Sequence, residues 1–524
     1  MVRTTVAVGN TRNGRFAPPP WTRQSDDWCR IDDRLPEDHL ARRIDRAVEH
    51  LELSRLFDSY LGVGKKAYRP DLLLKLVLYE IQSKRPSPSQ WARDVKENEP
   101  LRWLVFGIEP TRGQLYGFRD RLIPFLDDWN SQVLQLAFDI GVTKGQRASL
   151  DGSTIAANAS RRKLANEEQL QKRIDELDEA IEKNGAGEPI EDRPGWMATT
   201  PETVIQQRLH YQHVHECLEK RHQENAQRRT SKRKPRDKVL VSLTDPEAAL
   251  GPDKDKVFRP LYNVQLFRDL DSPLILACGV FSQVNDSGTL PTLVKGSFES
   301  VGCKPEIVLT DSGYVSIRDL LFCDEQGITL YAPFQENDQS EKRKKKKSRN
   351  QFSQLSKREF TWLEDEQTYR CPEDHLLEFK TRKKEQRFGY DVRLNLYVCP
   401  PGHCVDCSRK SECTPNPAKG RTVSRIEHEE LLDELEERMQ TEDAKELYRL
   451  RKQTVELCFA DMKEHRGVRR FCGRGHNRTK AQIGTTVLVH NLLTVNHALQ
   501  NRKAKANSPP ASRTRVVPQP TCAA

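Results

Sequence analysis

The feature that most constrains this chain is a series of short apolar stretches, each ending on turn residues, alternating with segments of helical periodicity. Arg147-Ala-Ser-Leu-Asp151 and Tyr262-Asn-Val-Gln-Leu266 alternate apolar and polar positions, while Leu274–Val280 and Glu306-Ile-Val-Leu-Thr310 are short apolar runs. Both patterns predict strands. Helical spacing at Leu290–Phe298 and Ile317–Gln326 separates the later ones, and Ile328-Thr-Leu-Tyr-Ala332 adds another strand. Such alternation specifies a mixed α/β sheet whose last strand-helix steps pair in parallel.

At 524 residues the chain exceeds one ordinary core, and roughly 150 residues per domain suggests about three units. Residues 1–30 and 501–524 lack apolar periodicity and read as flexible tails. Residues 31–140 carry helical spacing, as in Leu72, Leu73, Leu76, Val77 and Ile81, and are expected to form an all-helical domain. Within it, Ser87–Val95 and Thr111–Arg119 could pair as a helix-turn-helix with Arg112 and Arg119 toward phosphate, or serve only as scaffold. Residues 141–500 are expected to hold the sheet, with a charged insertion at 160–238. There Leu170, Ile174, Leu177 and Ile181 mark one apolar stripe, and Ile205 and Leu209 suggest a partner helix, so an antiparallel helical hairpin is expected.

The net charge of +10 favours a polyanionic partner, nucleic acid first, because Lys and Arg that neutralise phosphates release counterions. The runs Arg228–Arg236 and Lys342–Arg349 concentrate that charge and read either as solvated loops or as DNA attachments. The longest apolar run, Pro273–Phe281, is far short of the roughly 20 residues that span a bilayer. With no sustained apolar leader at the start, a reducing, cytoplasmic setting near the nucleoid is expected.

Asp151 and Asp311 are each expected at the carboxyl end of a strand, where ligands bind in open α/β sheets. Glu456 lies on a stretch read as one helix, Tyr448–Lys463, bordering the buried stripe of Val455, Phe459 and Met462, with Lys463 two turns on. Three carboxylates suit hard divalent cations such as Mg²⁺ or Mn²⁺, which take oxygen ligands, and two such ions serve in-line displacement at phosphorus.

Five of the thirteen cysteines fall between Cys371 and Cys413. Cys404-Val-Asp-Cys407 has the spacing of a metal knuckle, and Cys371 and Cys413 would complete a four-sulfur zinc site, with Cys399, His375 and His403 in reserve. Reduced free thiols in a cysteine-rich insertion at 365–420 are the alternative.

Leu150-Asp-Gly-Ser-Thr-Ile155, Leu309-Thr-Asp-Ser-Gly-Tyr-Val315 and Val455-Glu-Leu-Cys-Phe-Ala-Asp-Met-Lys463 resemble, in order and separation, the three catalytic blocks of bacterial insertion-sequence DDE transposases. Thr244-Asp-Pro-Glu247, Tyr262-Asn-Val-Gln265 and Val284-Asn-Asp286 resemble what lies between the first two blocks in the branch with a helical N-terminal domain and a cysteine-rich insertion. The resemblance, over about residues 35–500, implies an RNase H-like fold with Asp151, Asp311 and Glu456 as metal-holding catalytic residues. It implies DNA cleavage at element ends and strand transfer into target DNA, on double-stranded terminal repeats and target, by at least a dimer. A DNA-binding regulator without the chemistry is the alternative. The family's Tyr-Arg-Glu-Lys set falls on Tyr448, Arg451, Glu456 and Lys463, but the Arg-to-Glu gap is one residue longer than in the familiar pattern, so Lys452 competes with Arg451. Lys463, Arg466, Arg469, Arg470 and Arg474 are expected to hold the scissile phosphate and its flanking backbone.

Overall fold

The computed structural model describes residues 14–185, 193–228, 230–302, 304–333, 355, 357–387 and 390–507. The basic run Lys342–Arg349 lies outside the described residues.

Eight helices come first: α1 (Asp26–Asp32), α2 (Leu40–Val48), α3 (Ser54–Asp58), α4 (Pro70–Gln82), α5 (Pro88–Glu97), α6 (Glu99–Leu104), α7 (Arg112–Leu122) and α8 (Leu126–Asp139). Their starts follow local chemistry. Pro70 and Pro88 open α4 and α5 where the missing N–H costs nothing. Thr111 and Gln114 close a reciprocal capping box on α7. Helices α5 and α7 pack together, but α6 intervenes, so the segment is not a tight two-helix turn. Arg119 is half-buried against Asp120 at 2.7 Å rather than free for phosphate. Arg112 is exposed over the Tyr116 ring.

The central sheet is built from β1 (Arg147–Ala156), β4 (Ala249–Pro252), β5 (Phe258–Asp269), β6 (Ile275–Phe281), β7 (Ile307–Leu309) and β8 (Thr329–Tyr331), with the two-residue strands β2 (Leu164–Ala165) and β3 (Val241–Ser242) paired apart from it. Strand β5 pairs antiparallel with β1, β4 and β6, while β1–β7 and β7–β8 are parallel. The helix α11 (Leu290–Val301) connects β6 to β7, and α12 (Ile317–Glu325) connects β7 to β8. This is the sheet expected from the alternation of strands and helices.

Both faces of the sheet are covered. Ala148 and Leu150 of β1 join Phe267, Leu276, Val308 and Leu330 in one continuous core with the N-terminal helices. Ile155 joins Tyr262, Val264 and Leu266 in a second core with Val455, Phe459, Met462, Val468 and Phe471. The long helix His476–Asn507 threads between them, giving Ile483 and Val487 to the second core and Leu488, Leu492 and Val495 to the first. Thus the N-terminal helices do not enclose a core of their own.

Helices α9 (Glu167–Gly185) and α10 (Pro201–Ala226) pack on each other over a separate core. Leu170, Ile174 and Leu177 are buried as expected on α9. On α10 the inward face is Val204, Tyr211, Val214 and Leu218, whereas Ile205 and Leu209 are 46% and 55% exposed. Two apolar residues four apart defined the wrong stripe, because the larger face on this helix runs through Tyr211 and Leu218.

After β8, the hairpin β9 (Thr361–Leu363) and β10 (Thr368–Arg370) and the sheet β11 (Glu378–Arg387), β12 (Tyr390–Val398) and β13 (Thr422–Ile426) form a cysteine-bearing β module. Helices Glu430–Gln440, Glu442–Gln453 and Val455–Ala460 then return the chain to the central sheet. Among the described residues, no helix is long and apolar enough to cross a membrane.

Candidate active site

The odd-numbered residues of β1 face the returning helices, as the two-residue period of a strand requires. Ser149 Oγ lies 3.1 Å from Thr454 Oγ1, Asp151 Oδ1 accepts a bond of 2.7 Å from Arg451 Nη2, and Ser153 Oγ accepts one of 2.5 Å from Lys463 Nζ. One strand and one returning segment are thereby joined at three successive steps. Asp151 does not end its strand: β1 runs five residues further, to Ala156, paired throughout with β5. Asp311 does follow its strand directly, capping a 3₁₀ turn and accepting the Gly313 N–H at 2.8 Å.

The stretch read as one helix from Tyr448 to Lys463 is three pieces. Thr454, at φ −118° and ψ −93°, separates Glu442–Gln453 from Val455–Ala460, and its hydroxyl donates back to the Leu450 carbonyl at 2.8 Å. A π-helical turn, Asp461–His465, then carries Lys463. The break absorbs the extra residue between Arg451 and Glu456. Arg451 therefore points inward, 7% exposed, and donates to both Asp151 and Glu456 (2.9 Å), while Lys452 is exposed. Half-buried Tyr448 lies beside Arg451.

Burial pushes the Asp151 carboxyl up to about 6, and the charges of Asp311 and Glu456 add to the effect while Arg451 and the Gly152 N–H oppose it. Burial likewise raises Asp311, with Asp286 and Glu456 adding and the Gly313 N–H and Arg451 opposing. Burial, then the charges of Lys254 and Arg469, lowers the Lys463 ammonium to about 8. Mutual influence among Asp151, Asp311 and Glu456 means that three carboxyl groups share one electrostatic environment with a guanidinium between two of them. An all-oxygen, partly buried set of this kind fits a hard divalent cation.

A further carboxylate was quoted in the sequence only as part of a block. Asp286 Oδ1 accepts 2.8 Å from Asn263 Nδ2 and 2.6 Å from Gln265 Nε2, and Gln265 in turn accepts from the buried Tyr314 hydroxyl. A Cβ on Gly152 would sit 2.3 Å from Asp286 Oδ1 and 2.3 Å from Gln265 Nε2, so only glycine lets this network approach β1. The Asn263 and Gln265 alternation on β5, a polar stripe on an otherwise apolar strand, was the available signal. The Asp245 and Glu247 carboxylates of another quoted block cap the long C-terminal helix, accepting the Gly475 N–H at 3.2 Å and the His476 N–H at 2.6 Å.

The basic residues beyond Lys463 divide. Arg466 is buried, bound to Asp461 at 2.7 Å and to the Thr486 carbonyl, and is a packing residue rather than a phosphate contact. Arg469 pairs with Glu464. Arg470 and Arg474 donate to the carbonyls of Ala159 and Asn158, each at 3.1 Å, and with Arg161, Arg162 and Arg259 line a cavity of 520 Å³ at the far end of β1.

Among the described residues, one set of three or more His, Cys, Asp or Glu brings its ligand atoms within 4.8 Å of one another: Glu167, Glu219 and His222. Arg236 already fills that set, 2.5 Å from Glu167 and 3.0 Å from Glu219. The triad is wider, as are the cysteines, although Cys371, Cys399, Cys404, Cys407 and Cys413 line one cavity with His375 and His403.

A model of the transposase DDE domain matches residues 370–495, and one of a transposase domain (DUF772) matches residues 29–121. The two matches indicate an insertion-sequence DDE transposase. A DDE domain implies an RNase H-like fold, and this transposase has the mixed α/β sheet and helical N-terminal region to suit it. Transposases of the family act on DNA in transposition and generally use divalent metals such as Mg²⁺. The DDE match contains Glu456 but neither Asp151 nor Asp311, so those two rest on the geometry. No curated protein and no solved structure matches the chain.

Proposed function

We propose that this transposase cleaves DNA at element ends and joins the freed ends to target DNA, with Asp151, Asp311 and Glu456 as the catalytic carboxylates. The observation that carries this reading is that Arg451 bonds both Asp151, 300 residues away in sequence, and Glu456, with Asp311 within electrostatic range of it. The three carboxylates would hold Mg²⁺ or Mn²⁺, two ions in the fullest form. When bound, such ions activate the attacking oxygen and neutralise the leaving oxygen of a phosphodiester.

The chain's own residues do the rest. Arg451 holds Asp151 and Glu456 in place and offsets their repulsion. Lys463, anchored on Ser153 beside Asp151, is positioned to receive the scissile phosphate, whose charge would restore the ammonium that burial weakens. Tyr448 lies beside Arg451, within electrostatic range of Asp311 and Glu456. The arginine cavity extends the path, because Ala156 is five residues along β1 from Asp151, or about 17 Å, which is roughly five base-pair steps of a DNA strand. Arg470 and Arg474 would grip the flanking backbone there without reading sequence. The helical region 31–140 contributes further DNA contact through exposed Arg112, and joint processing of two ends calls for at least a dimer.

The test is purified protein with Mg²⁺ or Mn²⁺ and a fragment bearing the element's ends. Nicking and joining are expected, and Glu456→Gln should abolish both while leaving DNA affinity intact. Binding without cleavage under every metal would reverse the assignment in favour of a regulator.

A further inference from the structure

We propose that the β module preceding the catalytic helices is built around a structural zinc ion held by Cys371, Cys404, Cys407 and Cys413, with Cys399 as a fifth sulfur outside the coordination shell.

Two separate pieces of chain deliver thiols to one cavity: the turn after β10 (Cys371), and a continuous stretch holding the helix Pro401–Val405 (Cys404), the turn after it (Cys407) and the helix Lys410–Cys413. Cys404 and Cys413 are buried, Cys371 and Cys407 half-buried. Cys413 lies within electrostatic range of each of the other three. The Cys371 sulfur accepts the His375 N–H at 3.3 Å, which fixes its place at the turn. Cys399, just after β12, hydrogen-bonds the Cys404 sulfur and lies within electrostatic range of Cys371 and Cys413. At 2% exposed it is the most buried of the five sulfurs, as suits one that packs behind the ligands.

Charge points the same way. Arg421 is half-buried, stacks on Phe360, and donates to the Leu355 carbonyl at 2.8 Å, yet its Nε has no partner among the described residues. Glu359 lies within electrostatic range of this guanidinium, and so does Cys413; four thiolates around Zn²⁺ would add two net negative charges beside it.

The module's core has eight buried residues, Phe360, Tyr369, Leu377, Tyr397, Cys399, Cys404, Cys413 and Val423, and three of them are cysteine. With Leu355 and Trp362 packed against it, this is still a small apolar core for five strands, and small β modules of this kind need a staple. The sulfurs are wider apart than a metal would hold them, so binding draws the two helical turns inward as the thiols release their protons. The ion would also brace the route to the active site. Arg425 of β13 pairs with Asp433 at 3.1 Å, and Lys357 with Glu429, fixing the helix that leads on toward Arg451 and Glu456.

The experiment measures metal in the full-length protein. Protein purified without chelator should contain roughly one zinc per chain by atomic emission, released stoichiometrically when a mercurial blocks the thiols. Cobalt in its place should give the visible bands of a tetrahedral thiolate site. Cys399→Ser should retain the metal, whereas Cys404→Ser with Cys407→Ser should lose it. If that double variant does not fold, the mercurial release and cobalt spectrum of the unsubstituted protein decide alone. Zinc-free protein that takes up neither metal, or zinc retained after both substitutions, overturns the proposal. None of these readouts involves DNA, so they stand apart from the fate of the catalytic assignment.

Discussion

Replacing Arg451 with methionine removes the charge that sits between Asp151 and Glu456 while keeping an unbranched side chain of similar reach. Arg451 is 7% exposed and makes ion pairs of 2.7 and 2.9 Å. Removing one partner of a buried pair typically costs about 3–5 kcal/mol. The Glu456 side chain is 43% exposed and is screened by water, so the cost arises mainly from Asp151 and about 3 kcal/mol is expected. That loss should depend on two conditions. Asp151 has its carboxyl pushed up to about 6, above its ordinary range. Between the two values the folded state holds a proton that the unfolded chain has lost, so this group favours folding at low pH and the advantage disappears as pH rises through about 6. Without Arg451 the folded value rises further, and the penalty should therefore be largest near about pH 8 and shrink toward about pH 5. Mg²⁺ should also narrow the gap, because a bound cation takes over the neutralising role and stabilises the variant more than the parent. Urea midpoints of both proteins, with and without Mg²⁺ at the two pH values, test this. A penalty indifferent to both pH and Mg²⁺ would mean that Arg451 acts by packing alone, and would refute the shared electrostatic site.

Gly152→Ala should lower cleavage by about 100-fold with little change in urea midpoint, since its Cβ would strike Asp286 and Gln265 at 2.3 Å and misplacement of about 1 Å suffices for such losses; an unaffected rate would remove the Asp286 network from the active site. Arg470→Glu with Arg474→Glu should weaken DNA binding for all sequences alike and flatten its salt dependence by about two ions, with an unchanged slope counting against the arginine cavity as a backbone track. In the hairpin, Leu218→Ala should destabilise by about 2–5 kcal/mol because the side chain is wholly buried, while Ile205→Ala should be nearly neutral; equal effects in thermal unfolding would contradict the observed face of α10.

Much of the fold was legible because strand and helix periods are local. The stretches around Asp151, Leu266, Val280 and Leu309 read as strands, and α11 and α12 read as the helices between the later ones. The hairpin was legible as two helices, but not which side of α10 faces in, since that depends on what α9 presents. Helical spacing put Lys463 two turns beyond Glu456, but its meeting with Ser153 of β1 was not legible, because a π turn interrupts the helix that the spacing assumed.

The sequence by itself determined most of the element types and the knuckle spacing of Cys404 and Cys407, since each depends on residues a few positions apart. Tertiary structure decided that Arg451 rather than Lys452 enters the site, that Arg466 is a buried brace, and that Asp286 reaches β1 beneath Gly152. It also decided that the N-terminal helices share their core with the sheet. The reason is one of range. A hydrogen bond such as Arg451 to Asp151 joins residues 300 apart, and nothing in a local window records which distant strand a helix will meet, or where a single broken dihedral will turn it.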